Sequence, residues 1–189
     1  MPRPRIAPYE ATLAEIESLY SHLQHDEVAN QDLELAEVIE LYAQNISQLA
    51  CLYCQFSRPH KVVALAERTV GLSSSLALAD CFAHLYFTLL QCFSSVHELN
   101  SWEFDLELLS KQMLAFSEAG YQSNPPLWSE AYAWNLATLA FCITEQSREN
   151  QQRHYYKQSF LIFEQYELAI PQMWQQEYLD NTLANIIVV

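Results

Sequence analysis

Glycine is nearly absent from this chain: Gly71 and Gly120 are the only two in 189 residues. Tight hairpin turns need residues at positive φ, which glycine supplies without steric cost. So few glycines argue against a sheet built from short hairpins. Positive charge is scarce too, with 9 Lys and Arg against 23 Asp and Glu and a net charge of −14. No Lys or Arg occurs between Arg5 and Arg58, or after Lys157. Such a surface repels phosphate backbones, which argues against direct nucleic-acid binding, and it attracts basic partners. No uncharged apolar run reaches membrane-spanning length, and no apolar core follows the basic start, so neither a membrane span nor a secretion signal is expected.

Several chemical motifs are missing as well. There is no Gly-x-Ser-x-Gly elbow, phosphate-binding glycine loop, dinucleotide fingerprint, His-Glu-x-x-His or Glu-x-x-His. An enzyme is therefore the less favoured expectation, and no cofactor, metal or catalytic residue is assigned. The five cysteines, Cys51, Cys54, Cys81, Cys92 and Cys142, are odd in number and lie in apolar stretches. That usage fits reduced, buried thiols and a cytoplasmic location.

What remains is helical. Hydrophobic residues make up 51% of the chain and recur at helical spacing. Residues 1–8, with Pro2, Pro4 and Pro8, read as an extended arm, and 9–189 as one all-α domain with an internal joint at 120–127. About eight antiparallel helices are expected. They span roughly Tyr9–His25, Leu33–Phe56, His60–Val70, Leu76–Val96, Ser101–Ala119, Trp128–Gln146, Glu149–Ile170 and Pro171–Ile186. Pro59 reads as a stop, Gly71 and Gly120 as left-handed C-terminal caps, and Ser73–Ser75 as N-cap hydroxyls. Short connections make the helices antiparallel neighbours, either as stacked helical hairpins or as a closed bundle.

Three helices share a local pattern: Ile46-x-x-Leu49-Ala50-x-x-Tyr53, Ala79-x-x-Phe82-Ala83-x-x-Tyr86 and Ala133-x-x-Leu136-Ala137-x-x-Ala140. In each, a small residue permits close helix approach beside a large one. The pattern resembles the first helix of a tetratricopeptide repeat. Ser159, Phe163 and Pro171 resemble its second helix, with Tyr166 departing from it. The resemblance covers about Gln44–Pro171, without a strict period. It implies a concave face lined by Ser47, Cys51 and Cys54, then Asp80, His84 and Phe87, then Trp134, Thr138 and Phe141. The Lys, Arg and Asn with which family members clamp a terminal carboxylate are missing there, so an apolar or basic-flanked segment is the implied occupant. The bland alternative is that these residues are ordinary core.

Other constellations have plain structural readings. Cys51-x-x-Cys54 has no second pair for zinc and reads as structural thiols. His22 and His25 suit a helix C-terminus. Asp80 and His84, four apart, read as a local polar pair. Trp128, beside the presumed joint, is an exposure candidate, and the apolar tail Ile186–Val189 needs a groove or a partner. The leading expectation is a non-enzymatic scaffold, adaptor or chaperone-like protein that binds a basic or apolar protein segment through an apolar groove with an acidic rim. The alternative is a small-molecule sensor or enzyme with a pocket among helices four, six and seven, near Asp80, His84, Trp134 and Cys142. A third reading is a homodimer built on the second half or the tail.

Overall fold

A computed structural model describes residues 5–23, 31–73, 80–97 and 105–180, with side chains described over 5–19, 36–72, 80–93 and 105–180. The fold is all-α, and no strand occurs among the described residues. The helices are α1 (Ile6–Leu23), α2 (Gln31–Gln55), α3 (Pro59–Ser73), α4 (Cys81–His97), α5 (Leu106–Ser123), α6 (Pro125–Cys142) and α7 (Glu149–Gln165). Short 3-10 turns occupy Gln146–Arg148 and Gln172–Trp174, and residues 175–180 are helical. The expected single domain meets a division by internal packing into two compact units, 1–101 and 102–189. The segment 120–127, expected as the joint, is the α5–α6 turn inside the second unit.

In the first unit α2 is the hub, packed against α1, α3 and α4. Its wide apolar face (Ile39, Tyr42, Ile46, Leu49, Leu52 and Tyr53) is buried. The Tyr53 hydroxyl donates to Glu10 at 2.6 Å, while Glu17 acts on Tyr42, so α1 runs antiparallel to α2. Glu10 also pairs with Lys61 (3.9 Å) and Glu17 with Arg68 (3.2 Å). Both pairs repeat every seven residues, two helical turns, so α3 runs alongside α1. Ala50 of α2 and Ala83 of α4 are both buried.

In the second unit α6 lies between α5 and α7. It is apolar nearly all round and buried from Trp128 to Ala140 apart from Glu130 and half-buried Tyr132, as a helix covered on opposite sides must be. Ala137 is buried. The buried Asn135 amide donates to Ser117 of α5 at 3.1 Å, and Ser159 of α7 donates to the Ala133 carbonyl at 2.7 Å. The Gln152 amide donates to the Ala140 and Ile143 carbonyls, satisfying the α6 C-terminus from the neighbouring helix. Glu107 accepts both guanidinium nitrogens of Arg148, at 2.6 and 2.9 Å, and pairs with Lys111.

The helix ends correct several expectations. α1 starts at Ile6, so Pro8 lies in its first turn, where a missing N–H costs nothing. Residues 1–4 of the arm lie outside the described residues. Pro59 opens α3 rather than merely ending α2. α5 starts at Leu106, where the Asp105 carboxylate accepts the Leu108 N–H at 2.8 Å; the expected start at Ser101 and Trp102 lies outside the described residues. Ser73 belongs to α3, while Ser74, Ser75, Asp26–Asn30 and the tail Ile186–Val189 lie outside them too.

Neither glycine has a positive φ. The left-handed caps are Ser57 and Glu167, both at φ 53°. After α2, the Arg58 N–H reaches the Tyr53 carbonyl (2.8 Å) and the Ser57 N–H reaches Cys54 (3.0 Å). After α7, Leu168 reaches Phe163 (2.8 Å) and Glu167 reaches Glu164 (3.3 Å). Each is a Schellman closure made without glycine. Gly71 and Gly120 are interior to α3 and α5. Gly120 is there because Trp128 lies on it: a Cβ would come within 2.3 Å of the indole. Trp128, the candidate for exposure, is 1% exposed and packs on Gly120.

Candidate functional site

α2 and α4 run parallel, which sets their outward residues side by side along one seam. At its start, Glu40 of α2 and Asp80 before α4 both act on Cys81. In the middle, Ser47, Gln48, Cys51 and Leu52 share an open groove of about 360 Å³ with His84 and Thr88, and Tyr9 of α1 also lines it. At the far end, the Cys54 Sγ lies 4.0 Å from the Cys92 carbonyl oxygen. Parallel packing follows from chain path: α3 carries the chain back, so α4 repeats the direction of α2.

Leu52 is buried and gives the groove an apolar base. The Ser47 hydroxyl donates to the Ala43 carbonyl (2.8 Å) and the Thr88 hydroxyl to the His84 carbonyl (2.9 Å). Their donors are thus used within their own helices, leaving oxygen lone pairs for the groove. Cys51 and His84 are exposed. None of the lining side chains is a carboxylate, ammonium or guanidinium; the acidic groups stand at the Glu40–Asp80 end of the seam.

Three of the nine expected groove residues, Ser47, Cys51 and His84, come together here. Half-buried Phe87 lies on the same helix, its ring 6.4 Å from the His84 ring, and Asp80 is exposed in the turn before α4. Trp134, Thr138 and Phe141 belong to the second unit. There Trp134 packs edge-on against Trp174 (4.7 Å) and is 8% exposed, and Thr138 is buried. Both are core rather than groove lining, because α5 and α7 cover opposite sides of α6. Phe141 emerges at the last turn of α6, 37% exposed. The pocket expected among helices four, six and seven draws on residues of both units: Asp80 and His84 in the first, Trp134 and Cys142 in the second.

Tyr9, Gln48, Leu52 and Thr88 were not foreseen as groove residues. Thr88 stands one turn beyond His84, a spacing that does signal a shared face. Tyr9 carries no such signal, since it arrives through the packing of α1. A second feature is an apolar cavity of about 290 Å³ in the same unit, lined by Val38, Ile39, Tyr42, Leu72 and Phe82, with the Glu17–Arg68 pair at its edge. Gly71 also lines it, and among the described residues, its chain neighbours and own helix backbone aside, no atom lies within 4 Å of the place its Cβ would occupy. Burial pushes the Tyr42 hydroxyl up to about 12, aided by Glu17 and opposed by Thr69 and Arg68.

The side chains of His22 and His25 lie outside the described residues. Among the described residues no helix is long and apolar enough to cross a membrane. Compared with known proteins, the chain matches no family model, no curated protein and no solved structure.

Proposed function

We propose that the protein is a non-enzymatic helical binding module whose first unit takes a segment of a partner protein along the α2–α4 seam. The observation that carries this reading is the convergence of Ser47, Cys51 and His84 on one open groove. A neutral floor that ends among the carboxylates of Glu40 and Asp80 suits an apolar segment with basic residues at one end. The parallel α2 and α4 with a returning α3, and the burial of Ala50 and Ala83, support the helical-repeat reading of this unit.

The test is fluorescence anisotropy of full-length protein with amphipathic helical peptides that differ only in flanking charge. Basic-flanked peptides bind tightest and lose affinity with added salt. Gln48→Lys and Cys51→Arg, both at exposed positions, weaken binding roughly tenfold or more without lowering the melting temperature. Equal binding by wild type and both variants refutes the groove.

The apolar cavity beside Tyr42 favours a second reading, a sensor for a small apolar molecule with one polar end. Such a ligand raises the melting temperature in a metabolite panel. Gly71→Met, which fills the cavity, abolishes that rise; a rise that survives the substitution refutes the reading.

A further inference from the structure

Cys51 and Cys54 stand one helical turn apart on α2, and Cys92 of α4 meets them at the end of the seam. We propose that Cys51 and Cys54 are a reversible dithiol oxidised to a disulfide by hydroperoxides, with Cys92 as the positioning residue for Cys54. This goes beyond the binding reading and does not depend on it.

Three observations converge. The first is access: Cys51 is exposed and lines the open groove, and Cys54 is half-buried beside it. The second is reach. Residues three apart on a helix have Cα atoms about 5 Å apart, inside the range that a disulfide spans. Their Cβ atoms, about 5–6 Å apart in a regular helix, must draw together by ~1 Å or more. Cys54 is in the turn that can give: it is the penultimate residue of α2, and its carbonyl already takes the tight bond from the Ser57 N–H. The third is activation. The Cys54 Sγ lies 4.0 Å from the Cys92 carbonyl oxygen on α4, and hydrogen bonding with Cys92 lowers the Cys54 pKa against the opposing effect of burial. Cys92 itself is raised, first by its bond to Cys54 and then by burial and Cys51. Low pKa, access and an adjacent second thiol together make a peroxide-reactive cysteine pair.

The steps balance. The Cys54 thiolate attacks one peroxide oxygen; an S–O bond forms, the O–O bond breaks, and the leaving hydroxide or alkoxide takes a proton. The Cys51 thiolate then attacks the Cys54 sulfur; the S–S bond forms, the S–O bond breaks, and the hydroxide released takes a proton as water. Two thiols supply the two electrons that reduce one peroxide, and an external dithiol reverses the bridge.

The test treats full-length protein with hydrogen peroxide, blocks the remaining thiols with N-ethylmaleimide and digests with trypsin. Cys51 and Cys54 share the 6–61 peptide, since Arg58 precedes Pro59, while Cys81 and Cys92 share 69–111. The expected product is a 6–61 peptide about 2 Da lighter, refractory to the blocking reagent and restored by dithiothreitol. Cys51→Ser, at an exposed site, removes that product and lets Cys54 proceed to the sulfinic acid. Cys92→Ala slows the reaction roughly tenfold and moves the pH profile of Cys54 alkylation upward, which a purely structural Cys92 would not do. Cys142, held up at about 11 chiefly by burial, reacts far more slowly than Cys54. A 6–61 peptide left unchanged in folded protein overturns the proposal. So does a cross-link between the 6–61 and 69–111 peptides, or an unmoved Cys54 profile in a folded Cys92→Ala variant.

Discussion

Replacing Gly120 with alanine puts a methyl group into the indole of Trp128. The new Cβ would lie 2.3, 2.4 and 2.7 Å from three ring atoms, where ordinary contact begins near 3.4 Å. The ring must retreat by more than ~1 Å to restore van der Waals distance, yet it has little room. Trp128 is 1% exposed, its own N–H donates to the Asn124 carbonyl (3.1 Å), and the Asn124 N–H donates to the Gly120 carbonyl (2.8 Å). Ring, turn and helix end are one locked unit, so relief requires α5 and α6 to part. Overpacking of this kind costs about 1–3 kcal/mol or more, and the better helix propensity of alanine returns at most about 1. A net loss of about 2 kcal/mol, or ~4–8 °C in melting temperature, is expected. All four tryptophans lie at position 102 or later, so urea unfolding followed by tryptophan fluorescence reports the second unit. In a Trp128→Leu background the same Gly120→Ala change costs nearly nothing, and the cycle isolates the contact. A Gly120→Ala protein as stable as wild type refutes the packing argument.

Gly71→Ala runs the other way: among the described residues, its own helix backbone and chain neighbours aside, no atom lies within 4 Å of its Cβ position, so the variant gains about 0.5–1 kcal/mol in thermal melts followed by circular dichroism. Ser57→Gly relieves a non-glycine left-handed residue at the α2 cap and stabilises by about 1 kcal/mol in the same assay. Glu107 is held down to about 2, from an ordinary 4.5, first by hydrogen bonding to Arg148 and then to Lys111. Its folded-state pKa is depressed, so its stabilisation is full above pH 4.5 and is lost as pH falls toward 2. Wild type therefore exceeds Glu107→Gln by about 1 kcal/mol at pH 7, with the gap closing across that window in pH-dependent urea melts. Trp134→Ala opens a void against Trp174 and costs about 3–5 kcal/mol in fluorescence-detected unfolding.

The helical class was legible because it rests on local properties. Apolar residues at helical spacing and the shortage of turn glycine are both readable residue by residue, and α2, α3 and α7 began close to their expected starts. The small-residue pattern also carried over, since Ala50, Ala83 and Ala137 are all buried. The glycines were misread because a glycine at the end of an apolar run looks like a cap. Whether it is one depends on what lies across from it, and across from Gly120 lies Trp128. Ser57 and Glu167 gave no local sign of a left-handed backbone.

The site divides in the same way. The repeat resemblance implied one face shared by Ser47 and Cys51 of α2 and His84 of α4, and these three do line one groove. It did not foretell that Trp134 and Thr138, drawn from a like pattern, would be sealed by helices on both sides. From its own residues the chain determined that it is helical and acidic. Tertiary structure alone decided that α2 and α4 lie parallel, bringing Cys54 to Cys92 across 38 residues of chain. Helix formation is governed by neighbours three and four positions away, whereas a shared seam forms only after an intervening helix has turned the chain back.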